Sequence, residues 1–176
     1  GASRRVLSSA PVGAGRSSLK TLTAGGEYLF DEVGVKMSLP YYGTRVNGDV
    51  VVTHLDALPN VLPNTNPNSE SYWIVESYGA ERFSNLERLT FHLESAPTQE
   101  IKEKPQHAML LRRRPDTNEN WWEELCAPLY IEGEEVTDFV YGSACNISAF
   151  GEYVIVSNDP DVKLLQTQIT GIADLF

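Results

Sequence analysis

Long apolar runs are missing from this 176-residue sequence. No window approaches the about 20 apolar residues that cross a membrane as a helix. The opening stretch, GASRRVLSSAPVGAGRSS, also lacks an apolar segment of signal-peptide length. The sequence therefore predicts a soluble chain without membrane insertion. If the parent protein is exported, we expect its signal upstream of these residues.

Basic residues are scarce. Lysine and arginine together number 14 against 24 aspartates and glutamates, which gives a formal net charge of -10. This charge repels phosphate backbones and anionic lipid surfaces. We therefore expect no nucleic acid among the partners. The length fits one domain with a sizeable core.

Motifs of the common catalytic and cofactor sites are absent as well. The sequence contains no GxSxG elbow, HExxH helix, phosphate loop, EF-hand loop or GxGxxG turn. His54 and His92 each precede an acidic residue by two positions, which suits a metal pair or a surface salt bridge; we favour cross-strand ion pairing on a solvated face. We predict no enzyme activity, no cofactor and no metal centre. Two acidic runs, 130–135 and 157–161, leave calcium binding open.

The sequence does contain a series of short β-favouring runs separated by turn residues. In one of them, Leu89, Phe91 and Leu93 alternate with polar residues, the period of a strand with one buried face. About nine such strands predict an all-β fold, an antiparallel β-sandwich that is immunoglobulin-like or jelly-roll-like. The runs cover 27–30, 34–39, 49–55, 71–78, 86–94, 107–114, 120–126, 134–141 and 151–157.

The same runs divide the chain. Residues 1–24 are predicted to be a flexible arm or linker, residues 25–157 the β-sandwich domain, and residues 158–176 a terminal edge strand or a linker to a following module. The pair Asn47-Gly48 predicts a tight hairpin turn. The proline- and asparagine-rich stretch 57–70 predicts a long surface loop, either for recognition or as a tolerated insertion.

The alternation also selects a core. Eleven apolar or aromatic residues on the inward faces of the runs are expected to be largely buried. They are Phe30, Val35, Val52, Trp73, Val75, Leu89, Phe91, Leu110, Phe150, Tyr153 and Ile155.

The only two cysteines, Cys126 and Cys145, each lie at the edge of a predicted strand. Two cysteines that flank one hairpin can form a disulfide, which is typical of proteins outside the cytoplasm. Two buried free thiols in a cytosolic protein are the alternative. We predict the disulfide and, with it, a secreted or cell-surface location.

The stretch NWWEELCAPLYIEGEEVTDFVYGSACNISAFGEYVIV resembles the proteolysis-site motif of adhesion-receptor autoproteolytic domains, with its tryptophans, two cysteines, a Cys-Asn pair and a following apolar strand. The resemblance implies a self-cleaving bond, at which a serine or threonine attacks the preceding carbonyl while a histidine acts as base. The matching bond is Ile147-Ser148, and Asn146 stands at the histidine position. Because its amide cannot accept the proton, we expect the bond to stay intact.

A second resemblance spans residues 25–157 and is carried by GEYLFDEVGVKMSL, GDVVVTHLDALPN, SYWIVESYG and ISAFGEYVIV. These segments resemble the β-sandwich module near the C-terminus of large secreted proteins of gliding, polymer-degrading bacteria, which are type IX secretion cargo. The resemblance implies an accessory role beside neighbouring domains of the same polypeptide, without catalytic residues. We therefore expect a non-catalytic extracellular module for adhesion or assembly within a larger secreted protein.

Carbohydrate binding is the alternative function, with glycan as the partner. Aromatic faces stack on sugar rings while arginine donates hydrogen bonds, and Trp121, Trp122, Arg113 and Tyr42 are the candidates. In the competing interpretation, the tryptophans fill the sandwich and the arginines pair with nearby glutamates. A self-cleaving domain at Ile147-Ser148 is the second alternative.

Overall fold

The computed structural model of the protein describes residues 15–40, 45–59, 61–63, 71–78, 86–92, 104–114, 122–131 and 133–157. Within these ranges the chain forms ten strands. They are β1 (Arg16–Ala24), β2 (Gly26–Phe30), β3 (Val35–Leu39), β4 (Arg45–Leu55), β5 (Tyr72–Tyr78), β6 (Arg88–His92), β7 (Ala108–Arg113), β8 (Glu123–Cys126), β9 (Asp138–Gly142) and β10 (Gly151–Ser157).

The strands form two antiparallel sheets. The six-stranded sheet has the order β1-β4-β5-β10-β7-β8, and the four-stranded sheet has the order β2-β3-β6-β9. The predicted all-β sandwich is confirmed. Helix in the described ranges is limited to three single 3-10 turns, and none of them is long enough to cross a bilayer.

The main core lies between the sheets and confirms the alternation. All eleven residues predicted to be buried are at most 4% exposed. Ten of them belong to the cluster between the sheets, whereas Phe150 belongs to a second cluster on the other face of the six-stranded sheet. The two faces of β5 separate in this way, because Trp73 and Val75 enter the main core while Tyr72 and Ile74 enter the second cluster.

The second cluster is covered by the start of the predicted surface loop. Trp122 packs against this cluster, and its Nε1 donates a hydrogen bond to the carbonyl oxygen of Val61 at 2.7 Å. Pro59 and Pro63 are buried. This part of the 57–70 stretch is therefore anchored to the sheet, while residues 60 and 64–70 lie outside the described residues.

Two local predictions are wrong. Residues 16–24, assigned to the flexible arm, form β1, which pairs with β4 from Arg16↔His54 onward. Because β1 extends this pairing to Leu22↔Gly48, the Asn47-Gly48 pair lies within β4 instead of forming a hairpin turn. The domain therefore begins before Gly25, while residues 1–14 and 158–176 lie outside the described part.

The predicted disulfide between Cys126 and Cys145 is confirmed, but the two cysteines do not flank one hairpin. Cys126 ends β8, and Cys145 ends the 3-10 turn after β9, with their Cα atoms 5.4 Å apart. The two strands do not form one hairpin, since β8 pairs with β7 and β9 pairs with β6. Each is an edge strand of its sheet. The disulfide therefore ties the edges of the two sheets together.

Candidate functional site

Of the four residues predicted to bind carbohydrate, the structure describes Arg113 and Trp122, and neither has a fully exposed side chain. Arg113 is 4% exposed, and its guanidinium forms an ion pair with the fully buried Glu152. Trp122 is half-buried and engaged with Val61. The guanidinium of Arg113 is therefore engaged in a structural ion pair, as in the competing interpretation. Trp121 and Tyr42 lie outside the described residues.

A row of polar and aromatic side chains crosses the inner face of the six-stranded sheet. Direct strand pairing places one residue of the row on each strand. In order across the sheet they are Arg16, His54, Trp73, Tyr153, Arg112 and Glu123. We call this set the polar row. It contains a buried imidazole and a buried guanidinium, so it is the first place to test for catalysis.

At one end of the polar row, His54 lies between a hydroxyl and a carboxylate. Its ring stacks on Trp73 with centroids 4.8 Å apart, its Nε2 contacts Ser71 Oγ at 2.5 Å, and Asp56 Oδ1 lies 3.9 Å from the same Nε2. A catalytic triad needs the carboxylate on Nδ1, opposite the serine. Here Nδ1 faces Arg16 Nη2 at 3.2 Å.

The tautomer of His54 follows from these partners. A guanidinium can only donate, so Nδ1 of His54 accepts from Arg16 and the ring proton resides on Nε2. The Nε2–H group therefore donates to Ser71 Oγ and cannot take a proton from it. This geometry holds the ring in place and does not activate Ser71 as a nucleophile.

Burial lowers the pKa of His54 below the usual value near 6.5; the carboxylate of Asp56 opposes this effect, and the charge of Arg16 adds to it. The unfolded chain then binds a proton at a higher pH than the folded chain does. We expect neutral His54 to make its whole contribution to the free energy of unfolding above about pH 6.5. This contribution should decrease as the pH drops towards the folded-state pKa. The limiting slope for one proton is about 1.4 kcal/mol per pH unit.

Urea unfolding between pH 5 and pH 8 measures this slope. We expect His54→Gln to remove the contribution of His54 to the pH dependence of the free energy of unfolding. The His107→Gln control retains His54 and should therefore retain this contribution. An equal slope in the wild-type protein and the His54→Gln variant would contradict the assignment.

At the other end of the polar row, Arg112 and Tyr153 hold the corner that contains Ser148. Arg112 Nη1 donates to the carbonyl oxygen of Asn146 at 2.8 Å and to Ser148 Oγ at 3.1 Å. Tyr153 Oη donates to the carbonyl oxygen of Ser148 at 2.6 Å and accepts from its backbone N–H at 3.1 Å. Asn146 adopts a left-handed conformation with φ of 55°, which asparagine tolerates better than most residues.

Ser148 is buried and its hydroxyl proton is engaged. Its Oγ donates to the carbonyl oxygen of Phe150 at 3.1 Å, and the other hydroxyl contact is the guanidinium of Arg112, a permanent donor. A serine nucleophile needs a base that accepts its proton. Neither hydroxyl contact described in the structure is such a base. The corner therefore fits a structural role.

Metal ligands are not gathered in the described ranges. No group of three or more His, Cys, Asp or Glu side chains lies close enough there to hold a metal ion. His92 contacts Asp138 across β6 and β9 at 2.7 Å on a solvated face, which is the cross-strand pairing that we favoured, whereas His54 is buried. The run 157–161 falls largely outside the described residues.

The most exposed apolar feature that the structure describes is the segment after β8. Leu129, Tyr130 and Ile131 are 56%, 46% and 65% exposed. We call them the apolar tip. In the sequence, Tyr130 and Ile131 belong to the acidic run 130–135. The available signal was an apolar triplet directly after Pro128 and outside any alternating run.

Comparisons with known proteins give no relative to set beside this geometry: no family model, curated protein or solved structure matches the chain.

Proposed function

We propose that this chain is a non-catalytic β-sandwich module that serves adhesion or assembly within a larger secreted protein. The observation that carries the proposal is the apolar tip. Three consecutive large apolar side chains exposed to water are unfavourable unless another surface covers them. A neighbouring domain of the same polypeptide is the occupant that we propose.

The apolar tip is held in a fixed position. Leu129 N–H donates to the carbonyl oxygen of Val140 at 2.7 Å, which extends the four-stranded sheet beyond its edge strand β9. The Cys126–Cys145 disulfide anchors the same segment three residues earlier along the chain. A surface that is ordered before binding loses less conformational entropy on association. This rigidity suits a docking contact.

The surroundings of the tip indicate the chemistry of its partner. Glu134 and Glu135, which follow the tip, are exposed, and the chain as a whole carries a net charge of -10. We therefore expect an apolar partner surface with lysine or arginine at its rim. The same charge disfavours self-association through this segment.

The disulfide supports a location outside the cytoplasm, because reducing conditions inside most cells keep thiols free. The polar row and the adjoining Ser148 support the non-catalytic part of the proposal, since the polar groups of His54, Arg112 and Ser148 are committed to structural hydrogen bonds. Self-cleavage at Ile147-Ser148 has no described base to support it.

Photo-crosslinking in the producing cells tests the proposal. A photoreactive phenylalanine analogue replaces Ile131 in one strain and Leu19 in a control strain. Leu19 is 58% exposed but lies on β1, in the other sheet. We expect position 131 to give a defined crosslink to another segment of the same polypeptide. No crosslink above the level at position 19 would refute the proposal.

A further inference from the structure

The outer face of the four-stranded sheet contains a cavity of about 250 Å³. Its position follows from the register: Leu29, Lys36, Thr90 and Val140 form one row across β2, β3, β6 and β9. His92 and Asp138 form the next row at the same end of the sheet. The cavity lies between the two rows, on the face opposite the main core.

Gly34 borders the cavity. It ends the 3-10 turn Asp31–Val33 with φ of 66°, a left-handed conformation that favours glycine. Its carbonyl oxygen accepts from His92 N–H at 2.8 Å, so that β3 and β6 stay joined beside the cavity. Gly34 therefore contributes backbone to the lining but no side chain.

The polar lining mixes hydrogen-bond donors with acceptors. Asp31 and Asp138 supply carboxylate oxygens, Lys36 supplies an ammonium group, and Thr90 supplies a hydroxyl. His92 is held in position by Asp138 through the 2.7 Å contact. An anion would face two carboxylates here, and a cation would face Lys36. The lining thus suits a neutral ligand that both donates and accepts hydrogen bonds.

The rest of the lining is apolar. Leu29 is 50% exposed at the β2 side of the cavity, whereas Val35 borders the cavity on β3 but turns its side chain into the main core. The apolar side chain of Leu29 beside these polar groups suits a sugar ring, which presents C–H groups on its faces and hydroxyls at its edge. The volume is below the roughly 300–1,000 Å³ of pockets for drug-sized ligands, which limits the ligand to one ring.

We propose that this cavity binds one neutral pyranose unit, with Asp31 accepting from and Lys36 donating to the sugar hydroxyls. The site does not involve the apolar tip, so this inference stands independently of the assembly role. It also differs from the carbohydrate site predicted from the sequence, with which it shares no residue.

Titrations followed by amide NMR spectra test the inference. The probes are methyl glucopyranoside, methyl galactopyranoside, methyl mannopyranoside and N-acetylglucosamine, with inorganic phosphate and ethanolamine as charged comparisons. We expect at least one sugar to shift the amide signals of Gly34, Lys36 and Thr90 saturably, with a Kd of about 1–10 mM. The charged probes should not saturate these signals.

Two variants and a control complete the test. Asp31→Asn and Lys36→Met each keep the approximate size of the side chain, and each should raise the Kd about tenfold or more. Lys20→Met, at an exposed position on β1 of the other sheet, should leave the Kd unchanged. The proposal is overturned if no sugar saturates below about 50 mM, if a charged probe binds instead, or if the two variants bind as the wild type does.

Discussion

Replacing Glu152 by glutamine is expected to lower the free energy of unfolding by about 3–5 kcal/mol, the cost of leaving one partner of a buried ion pair uncompensated. Glu152 is fully buried, and Arg113 reaches it through Nε at 3.0 Å and Nη2 at 3.4 Å. The two residues face each other directly across β10 and β7. Removal of the carboxylate would leave the buried Arg113 cation without an opposite charge beside it. Urea unfolding of the variant measures the loss.

A double variant separates the value of the pair from the cost of breaking it. Replacing both partners with apolar residues, Arg113→Met with Glu152→Leu, should recover most of the stability, because neither charge then remains buried. Asp138→Asn is the matched control at the solvated His92–Asp138 pair, where a loss below about 1 kcal/mol is expected. Equal losses at both pairs would contradict the structural role of Arg113.

Replacing Phe91 by alanine should also lower the free energy of unfolding by about 3–5 kcal/mol. Phe91 is fully buried between the sheets. The centroid of its ring lies 4.6 Å from that of Trp73, 5.9 Å from that of Tyr141 and 6.3 Å from that of Tyr153. Truncation removes these aromatic contacts and leaves a cavity that strands from both sheets cannot easily close.

The exposed Leu19 provides the control for Phe91. Leu19→Ala removes an apolar side chain of similar chemistry from the surface, so the change should stay within about 0.5 kcal/mol. Thermal and urea unfolding of both variants make the comparison. A loss below about 1 kcal/mol for Phe91→Ala would show that the aromatic cluster is not the centre of the core.

The core and most strands could be predicted from the sequence because burial of one face imposes a period of two. Phe91 and Leu89 alternate with polar neighbours in β6, and both enter the main core as expected. β1 gave no such signal. Only Ser18 and Leu22 of its nine residues are buried, because β1 is an edge strand that pairs on one side only.

Interactions between distant segments were beyond the sequence patterns. The neighbours of Arg113 in the chain do not indicate its partner, because Glu152 lies 39 positions away. Likewise the cysteine pairing was predicted, but the connection between two sheet edges depends on which strands pair. Local spacing carries no information on either arrangement, because both follow from the sheet order.

The two candidate sites also differ in whether a local sequence pattern could predict them. The apolar tip has a local signal in the sequence, the apolar triplet after Pro128. The cavity on the four-stranded sheet had none, since Lys36, Thr90 and Asp138 come from three different strands. Single positions on separate strands form a site only through the register that joins them.

Intact mass spectrometry of the protein isolated from its producing cells without reductant tests the central claim, that this chain is a disulfide-linked, non-catalytic module. We expect the Ile147-Ser148 bond to remain whole and the chain to be about two mass units lighter before reduction than after it, because the Cys126–Cys145 disulfide lacks two hydrogens. Two fragments divided after Ile147 would contradict the non-catalytic assignment. Two free thiols would contradict the extracellular one.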